Sequence, residues 1–550
     1  MTGFRCSLLW RICLFCLLLP ACTTAQLRLP HPASTYLLSG APHDASLPRC
    51  AQLFVAVESA VVEAGVPDVQ AQRIAGFPYL RTNRFLASFD DELTDTEKTA
   101  YWGQALRQLD QSGRLIELGN LREADKLASR YGLENRHALG AALETCGGLL
   151  LAADLADADR VQLIISRASV PDSYSKLARI VGVYPISSWF VRQGITRLQS
   201  GILERFANAT SLEGAVRYMP SVAGKLSSAE LAALLNEGTA NPLRMLSLPQ
   251  SSLDLLFAHF APIWEIETRG TADRIGSPFW ARQDGAQAGG AQAGGVLAGR
   301  ALAGGALAGG AQAGGAQLDY ARIDTEEPVA YQLLSHTRFR DQVLPQLNYV
   351  IWFPERPLQG PFDLLGGHLD GITLRVTLDL DGTPVMVDAM HNCGCYHMFF
   401  PRAQTLQPRP AASAADEPLL IPAQFDVEPQ QRLVLHIEAD THYIVGTGYS
   451  SEGTERAEGI ERAESATQYR LEEFDMLRSL PVADGSSRSL FGSNGLIAGT
   501  TRRERWLLWP MGVLEPGAMR QWGHHATAFV GRRHFDDPNL LETYFRYVPD

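Results

Sequence analysis

Lysine is nearly absent from this sequence of 550 residues, in which it occurs at only four positions, Lys98, Lys126, Lys176 and Lys225. The formal net charge is −12 at pH 7, and the pI is near 5.6. A protein that binds nucleic acid has to neutralise phosphates with clustered Lys and Arg side chains. The composition therefore argues against nucleic acid as a partner.

Several common catalytic motifs are also missing. The sequence contains no GxSxG elbow, no HExxH motif and no P-loop. These motifs are the commonest signatures of serine hydrolases, zinc proteases and nucleotide-binding proteins. Their absence removes those three signatures and leaves open whether the chain catalyses a reaction.

The N-terminal segment, by contrast, has a clear pattern. Arg5 and Arg11 precede an apolar stretch at residues 12–19, and small residues follow it. This order of charge, apolar core and small residues is that of a secretory signal. The stretch is shorter than the roughly 20 apolar residues that span a bilayer, and no later window is long and apolar enough to do so. We therefore predict export rather than a transmembrane anchor.

The end of this segment reads Leu19-Pro20-Ala21-Cys22. It resembles the lipobox of bacterial lipoproteins, in which the cysteine is lipidated and becomes the mature N-terminus. Leu19, Ala21 and Cys22 fit that pattern, whereas Pro20 stands where a small or β-branched residue is usual. The resemblance implies a signal peptide over residues 1–22, a lipid on Cys22 and attachment to a membrane through that lipid.

Two further expectations depend on this resemblance. Thr23 rather than Asp follows the cysteine, which in such lipoproteins implies sorting to the outer membrane, on the side that faces the periplasm. Residues 23–48 are rich in Pro, Ser and Thr and would act as a tether between the lipid and the fold. The alternative is ordinary signal cleavage after Ala25, where Thr23 and Ala25 form a small-x-small site.

Export divides the eight cysteines into two groups. Four lie in the signal segment, Cys6, Cys13, Cys16 and Cys22, and four remain in the body, Cys50, Cys146, Cys393 and Cys395. Thiols tend to pair in an oxidising compartment. We predict a Cys50–Cys146 disulfide in the N-terminal half, although spacing alone does not fix the connectivity.

The periodicity of apolar residues changes along the chain and predicts an α+β fold. Residues 49–283 show mainly helical spacing, whereas residues 318–550 show the alternation typical of strands, with a few helices. Residues 284–317 repeat an Ala- and Gly-rich pentamer, which has too much Gly to be ordered by burial and indicates a flexible insertion. We therefore predict an N-terminal helical domain, an Ala/Gly-rich linker and a C-terminal domain built on a mainly antiparallel sheet.

The clearest β-hairpin lies in the C-terminal half. Apolar residues at alternate positions from 372 to 380 predict a half-buried strand, and Asp381-Gly382 is a strong signal for a two-residue turn. Odd-numbered residues of the return strand then lie on the apolar face. The predicted cross-strand partners are Ile372 with His391, Leu374 with Ala389, Val376 with Val387, and Leu378 with Val385.

The same parity places His391, Cys393, Cys395 and His397 on one buried side. Imidazole nitrogens and thiolate sulfurs are ligands of zinc, copper and iron, so these residues are candidate ligands of a transition metal ion. Fully extended, the segment spans about 20 Å, so one shared ion would require a bend, which Gly394 would permit. Alternatively, the two cysteines bind the ion together with distant histidines, for which the candidates are His368, His436, His442, His524, His525 and His534.

This cluster has two other interpretations. Cys393-Gly394-Cys395 would form a local disulfide with a redox role in an oxidising compartment, or a structural pair beside two partly buried histidines. The sequence thus leads to two hypotheses, and an enzyme of unrecognised class stays open as a third. The first is an exported, lipid-anchored envelope protein that binds a metal or acts in redox through the cluster. The second is a structural or interaction lipoprotein without a catalytic centre, whose helical half binds a partner in the envelope.

Overall fold

The computed structural model describes residues 46–208, 212, 214–222, 224–282, 320–410, 416–426, 431–450 and 466–548. The predicted signal peptide, the predicted lipidation site Cys22 and nearly all of the predicted tether lie outside the described residues. So does the Ala/Gly-rich segment 284–317.

Helices dominate the first part of the chain. Several of them begin at a capping residue: the side chains of Asp95 and Asn135, for example, accept backbone N–H groups from the first turns of the helices that follow. In chain order the helices are α1 (Ser46–Ala64), α2 (Arg84–Ala87), α3 (Thr96–Asn120), α4 (Ala124–Arg130), α5 (Arg136–Leu155), α6 (Ala158–Arg167), α7 (Lys176–Val181), α8 (Tyr184–Ala207), α9 (Ser228–Gly238), α10 (Gln250–Phe260), α11 (Arg505–Leu508) and α12 (Leu540–Tyr544).

The helical region has a hydrophobic core of its own. Helices α1, α3 and α5 bury Phe54, Leu106 and Leu150 against one another. The predicted disulfide is present: Cys50 of α1 is bonded to Cys146 of α5, with their Cα atoms 5.1 Å apart. The bond therefore fastens the first described helix to the centre of this core.

By length and composition, one described helix, α5, is long and apolar enough to cross a membrane. The sequence analysis predicted no such window after the signal segment, and on these two criteria that prediction is wrong. Leu139, Leu143 and Leu150 of α5 are buried in the helical core. In this structure these three leucine side chains of α5 therefore pack against other helices.

Strands dominate the rest of the chain. They are β1 (Gln72–Ile74), β2 (Phe77–Thr82), β3 (Ala215–Pro220), β4 (Ile263–Glu267), β5 (Ser277–Ala281), β6 (Tyr320–Asp324), β7 (Val329–Phe339), β8 (Gln342–Arg356), β9 (Gly367–Leu378), β10 (Pro384–His391), β11 (Met398–Pro401), β12 (Leu406–Pro408), β13 (Arg432–Ile437), β14 (Ile444–Ser450), β15 (Thr467–Glu473), β16 (Leu480–Pro481), β17 (Ser487–Arg488) and β18 (Phe545–Tyr547).

Ten of these strands form one mixed sheet. Its order is β11-β10-β9-β8-β7-β15-β3-β4-β13-β14. The five strands from β11 to β7 are antiparallel neighbours, whereas β15 pairs in parallel with both β7 and β3, and β4 pairs in parallel with β13. A helical N-terminal region followed by a mostly antiparallel sheet with few helices confirms the α+β prediction.

The sheet draws on both sides of the Ala/Gly-rich segment. Strands β3 and β4 lie within residues 49–283, which were assigned to the helical domain, yet both are central strands of the sheet. Strand β5 ends at Ala281 and β6 begins at Tyr320, and these two residues are paired. The described part of the chain therefore has its predominantly helical region before β3, and the repeat segment connects two adjacent strands.

Strand β9 is buried on both faces, so the prediction of a half-buried strand is wrong. Ile372 and Leu374 face a core that includes helices α9 and α10. Thr373 and Arg375, on the opposite face, are only 2% and 1% exposed, because the C-terminal segment covers that face. The guanidinium of Arg375 lies 2.5 Å from an Asp388 carboxylate oxygen and also donates to the Phe535 carbonyl.

The predicted register holds away from the turn and fails at it. Ile372 pairs with His391, Leu374 with Ala389 and Val376 with Val387, as predicted. Leu378, however, pairs with Pro384, and the register shifts between Pro384 and Met386. The connection is longer than two residues, since the Asp379 N–H donates to the Thr383 carbonyl at 2.8 Å. A bulge then restores the register that apolar burial favours.

Candidate functional site

The segment from His391 to His397 is a tight loop, so the prediction that its four His and Cys side chains lie along one strand face is wrong. Strand β10 ends at His391 and β11 begins at Met398. The His391 N–H donates to the Cys395 carbonyl at 3.0 Å, and the Gly394 N–H donates to the His391 carbonyl at 2.7 Å. Gly394 has φ +91°, and a Cβ there would lie 2.7 Å from the Ala526 carbonyl oxygen. The backbone therefore bends at Gly394, where a bend was expected.

His397 is held in a structural ion network. Its Nε2 lies 2.8 Å from Asp388 Oδ2, and its Nδ1 lies 3.2 Å from the Thr527 hydroxyl. Asp388 is also the partner of Arg375. Burial lowers the pKa of His397 to about 4, although Asp388 acts in the opposite direction, so the ring is neutral at physiological pH. Both nitrogens are engaged, and His397 has no nitrogen to offer to a shared metal ion.

The predicted metal centre finds no support in the arrangement of side chains. Within the part of the chain that the structure describes, no three His, Cys, Asp or Glu side chains are placed to hold a metal ion. The predicted local disulfide is not formed in this structure either, because Cys393 and Cys395 are both free thiols. The four predicted residues thus separate into a structural histidine, a pair of thiols and a second histidine, His391, with different surroundings.

Cys393 and Cys395 form a pair of free thiols at the bend. Both are buried, at 7% and 9% exposure, and the Cys395 N–H donates to Cys393 Sγ at 3.4 Å. A side-chain hydrogen bond with Cys393 and burial raise the pKa of the Cys395 thiol, while the buried guanidinium of Arg520 acts in the opposite direction. The Cys395 thiol is therefore protonated at neutral pH.

His391 is the end of a buried chain of alternating imidazole and carboxylate groups. Its Nδ1 lies 3.4 Å from Asp370 Oδ1, and the other oxygen of Asp370 lies 2.9 Å from His442 Nδ1. His442 Nε2 in turn lies 3.5 Å from Asp273 Oδ1. Strands β9 and β10 supply Asp370 and His391, and the β13–β14 turn supplies His442, whose ring stacks on Phe353.

The charges along this chain follow from burial and hydrogen bonding. Burial alone would raise the pKa of Asp370, but His391 and His442 outweigh it and hold the pKa well below its usual value. Burial would lower the pKa of His442, but Asp273 and Asp370 raise it overall. Burial lowers the pKa of His391, against the influence of Asp370. The pKa shifts therefore favour the charged form of His442, which lies between two carboxylates, and the neutral form of His391.

The two ring nitrogens of His391 differ in their surroundings. Among the described residues, its buried Nε2 has no hydrogen-bond partner, while Nδ1 faces Asp370. The ring lies beneath Tyr396 and Tyr443, with centroids 5.0 and 5.8 Å away. The Arg356 guanidinium donates to the Tyr443 hydroxyl at 3.2 Å and covers both tyrosine rings. An imidazole that a carboxylate orients and whose second nitrogen has no partner is chemically able to accept a proton from a group that reaches that nitrogen.

Four of the ten described non-Gly residues with positive φ lie around the same chain. Leu369, Tyr396, Asp440 and His442 all have positive φ, at +51°, +58°, +62° and +54°. Such conformations cost residues other than Gly on the order of 1–3 kcal/mol each and cluster at functional sites. Tyr396 is the residue that covers His391, and Leu369 and His442 belong to the segments that carry the carboxylate and the imidazolium. Residues with positive φ thus occur in the segments that carry the buried imidazole–carboxylate chain.

The sequence analysis found part of this site. His442 was one of six distant histidines between which nothing in the sequence allowed a choice, whereas Asp370, Asp273, Arg356 and both tyrosines were missed. One signal was present for Asp370: it shares the parity of Ile372, the cross-strand partner of His391, so it lies on the same face. A carboxylate on the buried parity of an apolar strand requires a partner.

Comparison with known proteins adds no relative: no protein-family model, no curated protein and no solved structure matches this chain.

Proposed function

We propose that this chain is an exported, lipid-anchored envelope protein that carries a redox-active dithiol, Cys393 and Cys395. The observation that carries the redox part is the contact of the two free thiols on one glycine-containing bend. Export is supported by the Cys50–Cys146 disulfide, since such bonds form and persist in oxidising compartments. The lipid on Cys22 is the proposed means of attachment to the membrane.

The proposed reaction is thiol–disulfide exchange with a partner disulfide, which is the oxidant. One thiol, as its thiolate, attacks a sulfur of the partner disulfide, so a mixed disulfide forms and one partner thiolate leaves. The second thiol then displaces the other partner thiol and closes the Cys393–Cys395 bond. Two electrons and two protons pass to the partner, which leaves as two thiols. Because Cys395 is buried and protonated, we expect the exchange to be slower than with an exposed thiol.

Equilibration in buffers of reduced and oxidised glutathione tests this proposal. We expect the folded chain to lose two hydrogens as the ratio becomes more oxidising, and Cys393 and Cys395 together to become protected from alkylation. A disulfide closed across a single glycine is strained, so its midpoint should be more oxidising than the roughly −300 mV typical of structural disulfides. Peptide mass spectrometry after alkylation measures both changes.

The chain contains its own control for this measurement. Cys50 and Cys146 should stay bonded across the same range of buffers, and Cys393→Ser should leave Cys395 as a single alkylatable thiol. If Cys393 and Cys395 remain thiols in the folded chain even in the most oxidising buffer, the redox proposal is wrong.

A second candidate function rests on His391 alone. Its unpartnered Nε2, its orientation by Asp370 and the neighbouring Arg356 favour general-base chemistry on an anionic substrate, with Tyr396 as the group that must move to admit it. General acid–base catalysis typically contributes 10²–10⁴-fold in rate. A panel of chromogenic esters, phosphomonoesters and phosphodiesters provides the assay.

We expect His391→Gln to lower kcat/KM on an accepted substrate by about 10²–10⁴-fold. His436→Gln is the matched control, because His436 also faces a carboxylate, Glu265 at 2.7 Å, but lies at the surface with its side chain 32% exposed. The control should keep the wild-type rate. A wild-type chain inactive on the whole panel, or a His391→Gln variant as active as the control, would rule out this second function.

A further inference from the structure

Three neighbouring segments expose large apolar side chains together, and we call this the apolar surface. It consists of helices α7 and α8, helix α11 and the loop at residues 358–364. Its exposed members include Ile180 at 75%, Trp189 at 58%, Phe190 at 63%, Phe362 at 90%, Trp506 at 56% and Leu507 at 61%. Scattered exposed hydrophobic residues are normal in soluble proteins, but a contiguous patch of this kind marks an interaction site.

Specific contacts hold the three segments side by side. The Arg503 guanidinium donates to the Pro361 carbonyl at 2.8 Å, and the Glu504 N–H donates to the Leu364 carbonyl at 3.1 Å, so the loop is attached to the start of α11. The turn that follows α11 is attached to α7, since the Ser175 N–H donates to the Gly512 carbonyl at 2.7 Å. The three segments are therefore neighbours at the surface of the protein.

Helix α8 is unusual in how little of it packs against the protein. Of its 24 residues, all of them described, only Ile202 is buried. Elsewhere in the chain, long helices bury an apolar stripe, as α1 does with Phe54, Val57 and Val61. The aromatic pair Trp189 and Phe190, in T-shaped contact at 4.8 Å, instead lies on the outside. Helix α8 packs on the sheet core through Ile202 and Phe206, and its other side, with Trp189 and Phe190, is exposed.

The charge around the apolar surface is opposite to that of the whole chain. Residues 176–207 carry five basic side chains and one acidic one, Glu204, whereas the complete chain has a net charge of −12. Helices that lie in the interface of an anionic bilayer typically combine Trp, Phe and Leu with Lys and Arg. The basic residues of this segment are Lys176, Arg179, Arg192, Arg197 and Arg205. Arg179 donates to the Met511 and Gly531 carbonyls and Arg205 pairs with Glu438, so these two also serve contacts within the protein.

We propose that the apolar surface rests on a bilayer that contains anionic lipids, with α8 parallel to the membrane plane. Interfacial helices of this kind bury their apolar faces about 5–10 Å into the boundary between headgroups and acyl chains. A protein partner would be expected to match a mixed-charge rim, whereas the positive bias here complements phosphate headgroups. This proposal does not depend on the redox pair, because no residue of the apolar surface contacts Cys393 or Cys395 in the described hydrogen bonds.

Side-chain oxidation footprinting on vesicles tests the proposal. The sample is the full protein, purified from its host after any processing of the N-terminus. The probes are vesicles of phosphatidylethanolamine with phosphatidylglycerol, and vesicles of phosphatidylcholine alone. On the anionic vesicles we expect oxidation of Trp189, Phe190 and Trp506 to fall severalfold, because bilayer contact excludes the oxidant. Tyr131 is 45% exposed but directly follows helix α4, which is not part of the apolar surface. It should be oxidised equally in all samples.

Paired variants make the result specific to this surface. Trp189→Ser/Phe190→Ser should abolish the protection of Trp506, whereas Leu149→Ser, at an apolar position of α5 that is 41% exposed, should leave it unchanged. Unprotected Trp189 and Trp506 on anionic vesicles would overturn the proposal. Equal protection without vesicles, increasing with chain concentration, would also overturn it and would assign the surface to a second copy of the chain.

Discussion

Replacing Arg81 with methionine is expected to lower the free energy of unfolding by about 3–5 kcal/mol, the range for breaking a buried ion pair by removing one partner. The Arg81 side chain is not exposed at all, and its guanidinium lies 3.0 Å from Asp110, 3.0 Å from Glu117 and 3.3 Å from Asp68. The substitution leaves three carboxylates without their common cation, in a place that water does not reach. Urea denaturation at neutral pH measures the loss.

Arg122→Met is the matched control for this experiment. Arg122 also pairs with an aspartate, Asp484 at 2.6 Å, but its side chain is 70% exposed. Ion pairs at the surface contribute about 0–1 kcal/mol, so the control should be nearly as stable as the wild type. Similar losses in the two variants would show that burial does not set the cost at Arg81.

The size of the network explains why the expected effect is large. It joins four arginines to four carboxylates, and Arg478 brings in the C-terminal half through Asp68 at 2.7 Å. Loss of Arg81 therefore disturbs the attachment between the helical region and the rest of the fold as well as the helical core. The members are Arg73, Arg81, Arg114 and Arg478 with Glu58, Asp68, Asp110 and Glu117.

The same network sets a dependence on pH. Burial alone would raise the pKa of Glu117, but Arg81, Arg73 and Arg114 outweigh it and lower the pKa to about 2. A carboxylate of this kind contributes stability that is fully present above its unfolded pKa, about 4.3, and is lost as the pH falls through the folded pKa. The difference in the free energy of unfolding between wild type and Arg81→Met should therefore become smaller as the pH falls from about 4 to about 2.

Removal of the Cys50–Cys146 disulfide is expected to have the second large effect, a loss of about 2–5 kcal/mol. The cysteines are 96 residues apart, so the bond closes a long loop and restricts the unfolded chain strongly. The double variant Cys50→Ser/Cys146→Ser avoids leaving one thiol unpaired. Its urea midpoint should fall well below that of the wild type.

The other cysteine pair provides the comparison for this variant. Cys393→Ser/Cys395→Ser removes two free thiols that close no loop in the reduced chain, so its midpoint should fall less. Wild-type stability in Cys50→Ser/Cys146→Ser would contradict the expected effect. Alkylation in intact host cells tests the compartment. If Cys50 and Cys146 react as free thiols there, export to an oxidising compartment is contradicted.

The sequence was sufficient to predict the fold class and part of the hairpin for clear physical reasons. Alternating burial specifies strand register, because a slip by one residue would move every apolar side chain to the wrong face. The pairing of Ile372 with His391 follows from that rule. The prediction of a two-residue turn at Asp381-Gly382 was wrong. The chain instead forms a longer connection, and a bulge after Pro384 restores the register.

The rest of the site depends on contacts that have no local pattern. His442 reaches Asp273 because the strands that precede them, β13 and β4, pair in parallel, and that pairing joins segments more than 160 residues apart. His397 has the parity of a candidate ligand, but the loop turns it toward Asp388. The burial of Arg375 depends on the C-terminal segment that covers the sheet. Side chains brought together by such long-range packing cannot be identified from spacing alone.

The pairing of Ala281 with Tyr320 has a consequence for the gene and for the laboratory. Because the two strands on either side of the Ala/Gly repeat are already adjacent, adding or removing a pentamer alters no register, and the entropy of loop closure costs only about 0.6 kcal/mol for each doubling of loop length. Insertions or deletions of whole pentamers in the gene would therefore yield alleles of different length with the same fold. The same position would accept a fluorescent reporter, so the protein could be followed in living cells with both of its termini unaltered.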